Sequence, residues 1–381
     1  METKIVAIDA GQPQPERIQE AARIIQSGGL VAFPTETVYG LGADALNPQA
    51  AQKIYAAKGR PSDNPLIAHI ADFEELPALA AEISDTARTL MRLYWPGPLT
   101  LIFKKTETVP FATTGGLDTV AVRMPSHPVA RALIRAAGTP IAAPSANRSG
   151  RPSPTKALHV REDLDGHIDM LLDGGEVGIG LESTIIDVSS SRPLLLRPGF
   201  ISEETLKKTL KRLAVDTACM EPMAPGVHPR APGMKYRHYA PQAPLTIVRG
   251  TDAQVEKAIC FQAKEALCAG KNVGILCASE SLLTYRHRLK KEGCRDCQSG
   301  RLLASCVCSL PYKDGEARLM LEVSGSRREP AEIAHHLYDA LRSFDRARMD
   351  VIFSESFECG SLGGAIMNRL KKAAGYHILE V

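Results

Sequence analysis

The chain has 381 residues, 44% of them hydrophobic and 23% charged, with a formal net charge of +3. That length predicts two to three domains with their own cores, and so mild a charge excludes bulk electrostatic capture of nucleic acid, leaving open only a locally basic cleft. No apolar run reaches spanning length and residues 1–11 carry neither a basic start nor an apolar signal region, so the sequence predicts a soluble cytoplasmic protein with no membrane partner.

Residues 15–26 place Ile18, Ala21, Ala22 and Ile25 at helical spacing and stop at Gly28-Gly29. A short buried strand over 30–33 runs into Pro34-Thr35-Glu36-Thr37-Val38-Tyr39-Gly40-Leu41-Gly42, and hydroxyls and glycines after a strand are where α/β folds place ligands. Asn47-Pro48 reads as an N-cap and first helical position, and Gly59 as the residue past the end of a helix over 48–58. Beyond it, Pro61 and Pro65 bias Arg60 and Asn64 toward extended backbone, giving a stiff arm that becomes a strand over 65–70 and ends near His69. Arg60 offers a planar fork and Lys58 a compact charge, a pair suited to a small anion with two different acidic groups. Under the plainer reading Lys58 is a last-turn lysine favoured by the helix dipole.

A helix over 84–94 leads to the rigid turn Trp95-Pro96-Gly97-Pro98 and a strand over 99–103. A strand over 119–124 carries Arg123; a helix over 129–137 precedes a strand over 140–143 that feeds Pro144-Ser145-Ala146-Asn147-Arg148-Ser149-Gly150. Strands over 170–172, 183–188 and 194–196 and a helix over 205–213 follow. Helix and strand mix without strict alternation, which predicts a mixed, twisted sheet with helices packed against it.

Between 220 and 241 prolines and glycines interleave with Arg230, Lys235, Tyr236, Arg237, His238 and Tyr239, the composition of a linker whose tyrosines could clamp a nucleotide. Strands over 245–248, 273–277 and 351–353, with helices over 253–267, 282–290 and 332–348, predict a smaller Rossmann-like parallel unit. No Gly-x-Gly-x-x-Gly follows its first strand, so a dinucleotide site is unsupported. The glycine loop 360–364 opens a helix, a geometry shared by anion sites and plain turns. The expected organisation is therefore 1–213, a linker over 214–243, and 244–381. All nine cysteines lie from Cys219 onward. Cys294-x-x-Cys297 and Cys306-x-Cys308 could offer four thiolates to zinc, but the second pair is spaced too tightly for a common zinc ribbon, and reduced thiols are the favoured reading.

Polar groups recur at strand ends in the first part: Thr35, Lys58, Arg60, His69, Arg123, Ser145, Asn147, Ser183 and Arg197. No Ser-His-Asp order, His-Glu-x-x-His or Walker loop accompanies them. A set of cations and neutral donors fits positioning and charge stabilisation on a polyanionic substrate, the requirement of nucleotidyl or phosphoryl transfer. The structural alternatives are a strand-end ion pair for Arg123, turn bonds for Ser145 and Asn147, and a satisfied core histidine for His69.

Pro34-Thr35-Glu36-Thr37-Val38-Tyr39-Gly40-Leu41, Lys58-Gly59-Arg60-Pro61 with Asn64-Pro65-Leu66, Trp95-Pro96-Gly97-Pro98-Leu99-Thr100, Val122-Arg123-Met124-Pro125, Ala143-Pro144-Ser145-Ala146-Asn147 and Glu182-Ser183-Thr184 stand in the order of the YrdC family of L-threonylcarbamoyladenylate synthases, which the first 200 or so residues resemble. The remainder is similar to the family's long form, with a linker like Pro232-Gly233-Met234-Lys235-Tyr236-Arg237-His238-Tyr239-Ala240-Pro241 and a Rossmann-like tail.

The resemblance implies a concave basic cleft in the first domain and the joining of L-threonine, bicarbonate or carbon dioxide, and ATP into threonylcarbamoyl-AMP with release of pyrophosphate. A downstream transferase would then modify tRNA, with tRNA binding by this chain not required. By motif position, Lys58, Arg60, Ser145 and Asn147 would form the catalytic group. Threonine would be held by Thr35, His69, Arg123, Ala143 and Ser183, and ATP by Lys58, Ser62, Thr119, Ser145, Ser153, Arg197 and Tyr239. Mg2+ is expected with the ATP, without carboxylates that mark its ligands. The linker would serve as an active-site lid carrying Tyr236 and Tyr239. The competing reading is a non-catalytic RNA-binding factor using the same cleft; the first domain's single tryptophan, set in a proline turn, offers it no stacking platform.

Overall fold

The computed structural model describes residues 2–219, 221, 229–234, 238–290, 295–299, 306–312 and 315–381. Contacts divide it into two units, Met1–Ser149 with Ser153–Tyr236, and Gly150–Pro152 with Arg237–Val381.

The first unit's strands are β1 (Lys4–Ala7), β2 (Val31–Phe33), β3 (Gly40–Asp44), β4 (Ile67–His69), β5 (Leu99–Lys104), β6 (Thr119–Arg123), β7 (Ile141–Ala142), β8 (Met170–Asp173), β9 (Thr184–Asp187), β10 (Leu194–Arg197) and β11 (Ala214–Val215). Its helices are α1 (Pro15–Gln26), α2 (Pro48–Lys58), α3 (Asp85–Tyr94), α4 (Phe111–Thr114), α5 (Pro128–Ala137), α6 (Ala157–Leu164) and α7 (Glu203–Thr209). The strands form one mixed sheet in the order β1-β8-β2-β3-β7-β4-β6-β5-β9-β10-β11. Side chains alternate along each strand, so Ala32 and Leu171 join the core that holds Ile54 of α2 and Leu90 of α3. Val31, Phe33, Met170 and Leu172 enter the opposite core with α1 and α5. Covered on both faces, these strands read as short continuous apolar runs.

The helix boundaries follow from their caps. Asn47 accepts from the Gln49 and Ala50 amides, Pro48 fills the first position, and Gly59 at φ 60° ends α2 in a left-handed conformation. Thus Lys58 closes a helix and the arm begins one residue later. Sequence and structure differ in several places: β1, α4 and α6 fall where the sequence predicted no element. Part of the stretch read as a ligand loop is strand β3, because Gly42 leaves no room for a side chain: a Cβ there would lie 2.7 Å from the Phe33 ring and 2.8 Å from Ile141 Cγ2. Helix α7 is shorter than expected, capped by Ser202, and β11 then pairs with β10, so sheet structure enters the stretch read as linker.

The second unit contains β12 (Leu245–Arg249), α8 (Asp252–Cys268), β13 (Val273–Ala278), α9 (Leu282–Lys290), β14 (Arg295–Ser299), β15 (Cys306–Tyr312), β16 (Gly315–Gly325), α10 (Pro330–Arg346), β17 (Val351–Glu355), α11 (Gly363–Ala373) and β18 (Ile378–Glu380). Strands β16-β13-β17-β12-β18 run parallel, and β14 and β15 add an antiparallel edge. The sequence marked the strands β12, β13 and β17 but not β16, β18 or that edge, where polar residues and Pro311 break the apolar signal. Helix α8 buries Val255, Ile259, Ala263 and Leu267, one face at four-residue spacing. Cys294 lies outside the described residues, as do the side chains of Cys297, Cys306 and Cys308. No described helix is long and apolar enough to cross a membrane.

Candidate functional site

The end of α2 and the segment after β7 are tied together by one lysine. Lys58 is 2% exposed, and its Nζ donates to the Ser145 and Asn147 carbonyls. The Ser149 amide donates back to the Lys58 carbonyl at 2.9 Å, and Ser145 Oγ donates to Asn147 Oδ1 at 2.6 Å. These bonds make Lys58, Ser145 and Asn147 one connected group. Arg60, half-buried, spends part of its fork locally: Nη2 donates to Asn64 Oδ1 at 2.7 Å and to the Pro65 carbonyl at 2.9 Å.

A second cluster gathers on β4 and β6. Parallel pairing sets His69 beside Arg123, and antiparallel pairing sets Thr100 on the other side of Arg123. The guanidinium is 4% exposed; Nη1 donates to Thr37 Oγ1 at 2.9 Å and Nε to the Gly97 carbonyl at 3.3 Å, which is how the proline turn reaches the site. Its Nη2 lies 2.7 Å from Glu36 Oε1. That pair is close but poorly aligned: among the described residues no hydrogen bond of good geometry reaches either Glu36 oxygen or leaves Arg123 Nη2, although the Glu36 and Ser126 amides lie near the carboxylate. Burial works against the Glu36 carboxylate, but the Arg123 charge together with nearby backbone donors outweighs it and holds its pKa below the ordinary value. Thr35 is buried, its hydroxyl shared between Thr37 Oγ1 and the Val38 carbonyl.

His69 donates from Nδ1 to the Ile67 carbonyl at 3.0 Å. Burial first, and then the Arg123 charge, pull its pKa from 6.5 down to about 3, so the ring is neutral at physiological pH. A folded-state value below the unfolded one means that the unfolded chain binds the extra proton between pH 6.5 and about 3. Stability then falls as pH drops through that window, with a slope of about 1.4 kcal/mol per pH unit at most. Denaturant titrations of the wild type and His69→Asn across this range should show a shallower loss in the variant.

The remaining groups fall into place by connection. Ser183 Oγ bonds Thr100 Oγ1 at 2.7 Å, and Arg197 donates to the Ser183 carbonyl at 3.0 Å, extending the Arg123 cluster across β5 and β9 to β10. Ala143 donates its amide to the Ile67 carbonyl at 2.8 Å, and a β-bridge between Gly40 and Ser145 joins the lysine and arginine clusters through one backbone. Ser153 is fully buried and donates to Glu182 Oε1. Ser62 is exposed on the arm, and Thr119 begins β6 at the end away from Arg123, so neither is tied into these clusters by a hydrogen bond among the described residues. Tyr239, at φ 65°, stacks on Tyr338 within the second unit with ring centroids 5.4 Å apart; Tyr236 lies outside the described residues.

Sequence reasoning assigned no part to Glu36, Thr37, Thr100 or Glu182, although all four sit inside the quoted motifs. The available signal was the adjacent carboxylate and hydroxyl of Glu36-Thr37, both of which reach the Arg123 guanidinium.

Residues 23–199 match a family model described as telomere recombination, covering Sua5, YciO and YrdC, and residues 201–375 match one described as the C-terminal domain of threonylcarbamoyl-AMP synthase. The threonylcarbamoyl-AMP synthase of Bacillus subtilis is 45% identical over 365 residues, spanning 96% of this chain and 94% of that protein. That of Pyrococcus abyssi is 45% identical over 371 residues, spanning 96% and 98%. The crystal structure of P. abyssi Sua5 complexed with L-threonine superposes with a TM-score of 0.84 at 44% identity, covering 100% of both chains.

Proposed function

The chain belongs to the threonylcarbamoyl-AMP synthases in their long two-domain form, and on that premise we propose which of its residues carry the reaction and how. The enzyme is a nucleotidyltransferase that converts L-threonine, bicarbonate or carbon dioxide, and ATP into threonylcarbamoyl-AMP and pyrophosphate, the first step of tRNA threonylcarbamoyladenosine modification.

The observation that carries the assignment is that the buried Lys58 group and the buried Arg123 group are joined by the Gly40 and Ser145 bridge. Arg123 takes the threonine carboxylate as a fork, with Thr35, His69, Ser183 and the Ala143 backbone around the rest of the amino acid. The deprotonated amino nitrogen bonds to the carbon of carbon dioxide with loss of a proton, or to that of bicarbonate with loss of water; a carbamate oxygen then attacks the α-phosphorus of ATP and pyrophosphate leaves. Two anions must meet for that bond to form, and Lys58 and Arg60 offset their repulsion, with Ser145 and Asn147 orienting the oxygens. Within the first unit, Ser62, Thr119, Ser153 and Arg197 complete the nucleotide contacts. Magnesium arrives as part of the nucleotide substrate, held by its phosphates; among the described residues no group of three or more His, Cys, Asp or Glu is arranged to hold a metal ion. Because carbamates and mixed anhydrides decompose in water, the product passes promptly to a transferase in the cytoplasm.

Pyrophosphate release should require threonine and bicarbonate together, and serine should substitute poorly because it lacks the methyl group. Release from ATP at an equal rate without threonine would overturn the reading.

A further inference from the structure

Glu36 has no part in the scheme above, yet its carboxylate is buried beside the guanidinium assigned to the substrate. We propose that Glu36 receives the α-ammonium group of the incoming amino acid, so that Arg123 and Glu36 together recognise its zwitterion; this rests on the threonine site proposed above.

Buried charges at this position come in a countable balance. Among the described residues, the ionised groups in direct contact at the guanidinium are Arg123 itself and Glu36, one of each sign, with Arg197 set beyond Thr100 and Ser183. The two facing imidazoles add none: His69 is neutral, and burial lowers the pKa of His127, which faces Glu36. An empty site is therefore balanced. A zwitterion brings one further charge of each sign, so cations and anions stay equal in number. A ligand with a carboxylate but no ammonium leaves two anions against one cation in a desolvated place, which is costly. Among the described residues neither Glu36 oxygen has a well-aligned donor, and an ammonium, with three N–H groups, can supply one. The same contact points the nitrogen to be carboxylated toward one fixed wall.

Charge balance predicts opposite responses to one substitution. Calorimetric titration of the full-length protein with L-threonine and with β-hydroxybutyrate, which is threonine without its amino group, provides the test. Glu36→Gln should weaken threonine binding by about tenfold or more and tighten β-hydroxybutyrate binding, since the competing anion is gone. Unchanged threonine affinity, or parallel weakening of both ligands, overturns the proposal; parallel weakening is what a merely structural role would give. If Glu36→Gln does not fold, Glu36→Asp carries the test: it should keep the preference for threonine, and loss of that preference in a folded protein overturns the idea. No threonine binding by the unaltered protein would instead overturn the threonine site itself, and this proposal with it.

Discussion

Lys58→Ala is expected to lower kcat/KM for adenylate formation by two to three powers of ten, about 2–4 kcal/mol of transition-state stabilisation, the usual cost of one oriented donor at a developing charge. The lysine does two jobs that the measurement can separate. Its charge serves the approach of two anions, while its Nζ holds the Ser145 and Asn147 carbonyls against the end of α2. Losing the second role strands two carbonyl acceptors in a buried place, which costs stability by about 1–3 kcal/mol. Pyrophosphate-release kinetics and denaturant unfolding, run side by side, divide the effect. A variant that loses stability but keeps its rate would reduce Lys58 to a structural tie, the plain reading that its place in the last helical turn also permits.

Much of the first unit's architecture was legible because its central strands are buried apolar runs and α2, α3 and α5 carry side-chain caps, whereas the largely exposed β1 and the uncapped α4 and α6 gave no such signal. Asn47, Pro48 and Gly59 each marked a boundary by a local rule, and the structure places α2 between them. Strand β3 escaped because its glycines signal a turn to any local reading; only the Phe33 and Ile141 side chains above it explain them. The candidate site shows the same divide. Lys58, Ser145 and Asn147 stood out as polar residues at element ends, but the contact between them is long-range and depends on β7 arriving beside β3. Glu36 illustrates the opposite limit. A glutamate between two threonines after a strand is ordinary as sequence, and it becomes notable only when β6 delivers Arg123 to it.

Arg123→Ala is expected to raise the threonine KM by more than a hundredfold, an effect of about 3–5 kcal/mol by analogy with breaking a buried pair on one side, while the KM for ATP changes little. The cost has a pH signature. With Arg123 present, the Glu36 pKa lies below its ordinary value; without it, burial is left to push that pKa up. A carboxyl whose folded pKa exceeds its unfolded one favours the folded state at low pH and loses that contribution as pH rises. The stability deficit of Arg123→Ala relative to wild type should therefore be largest near neutrality and shrink toward acid, where Glu36 is protonated. Adding Glu36→Gln should then recover much of the lost stability at neutral pH without restoring threonine affinity, because the stranded charge is gone but the carboxylate fork is still missing. Strictly additive stability losses in the double variant would mean that the two side chains share no charge interaction, and both the assigned role of Arg123 and the charge count built on it would fall together.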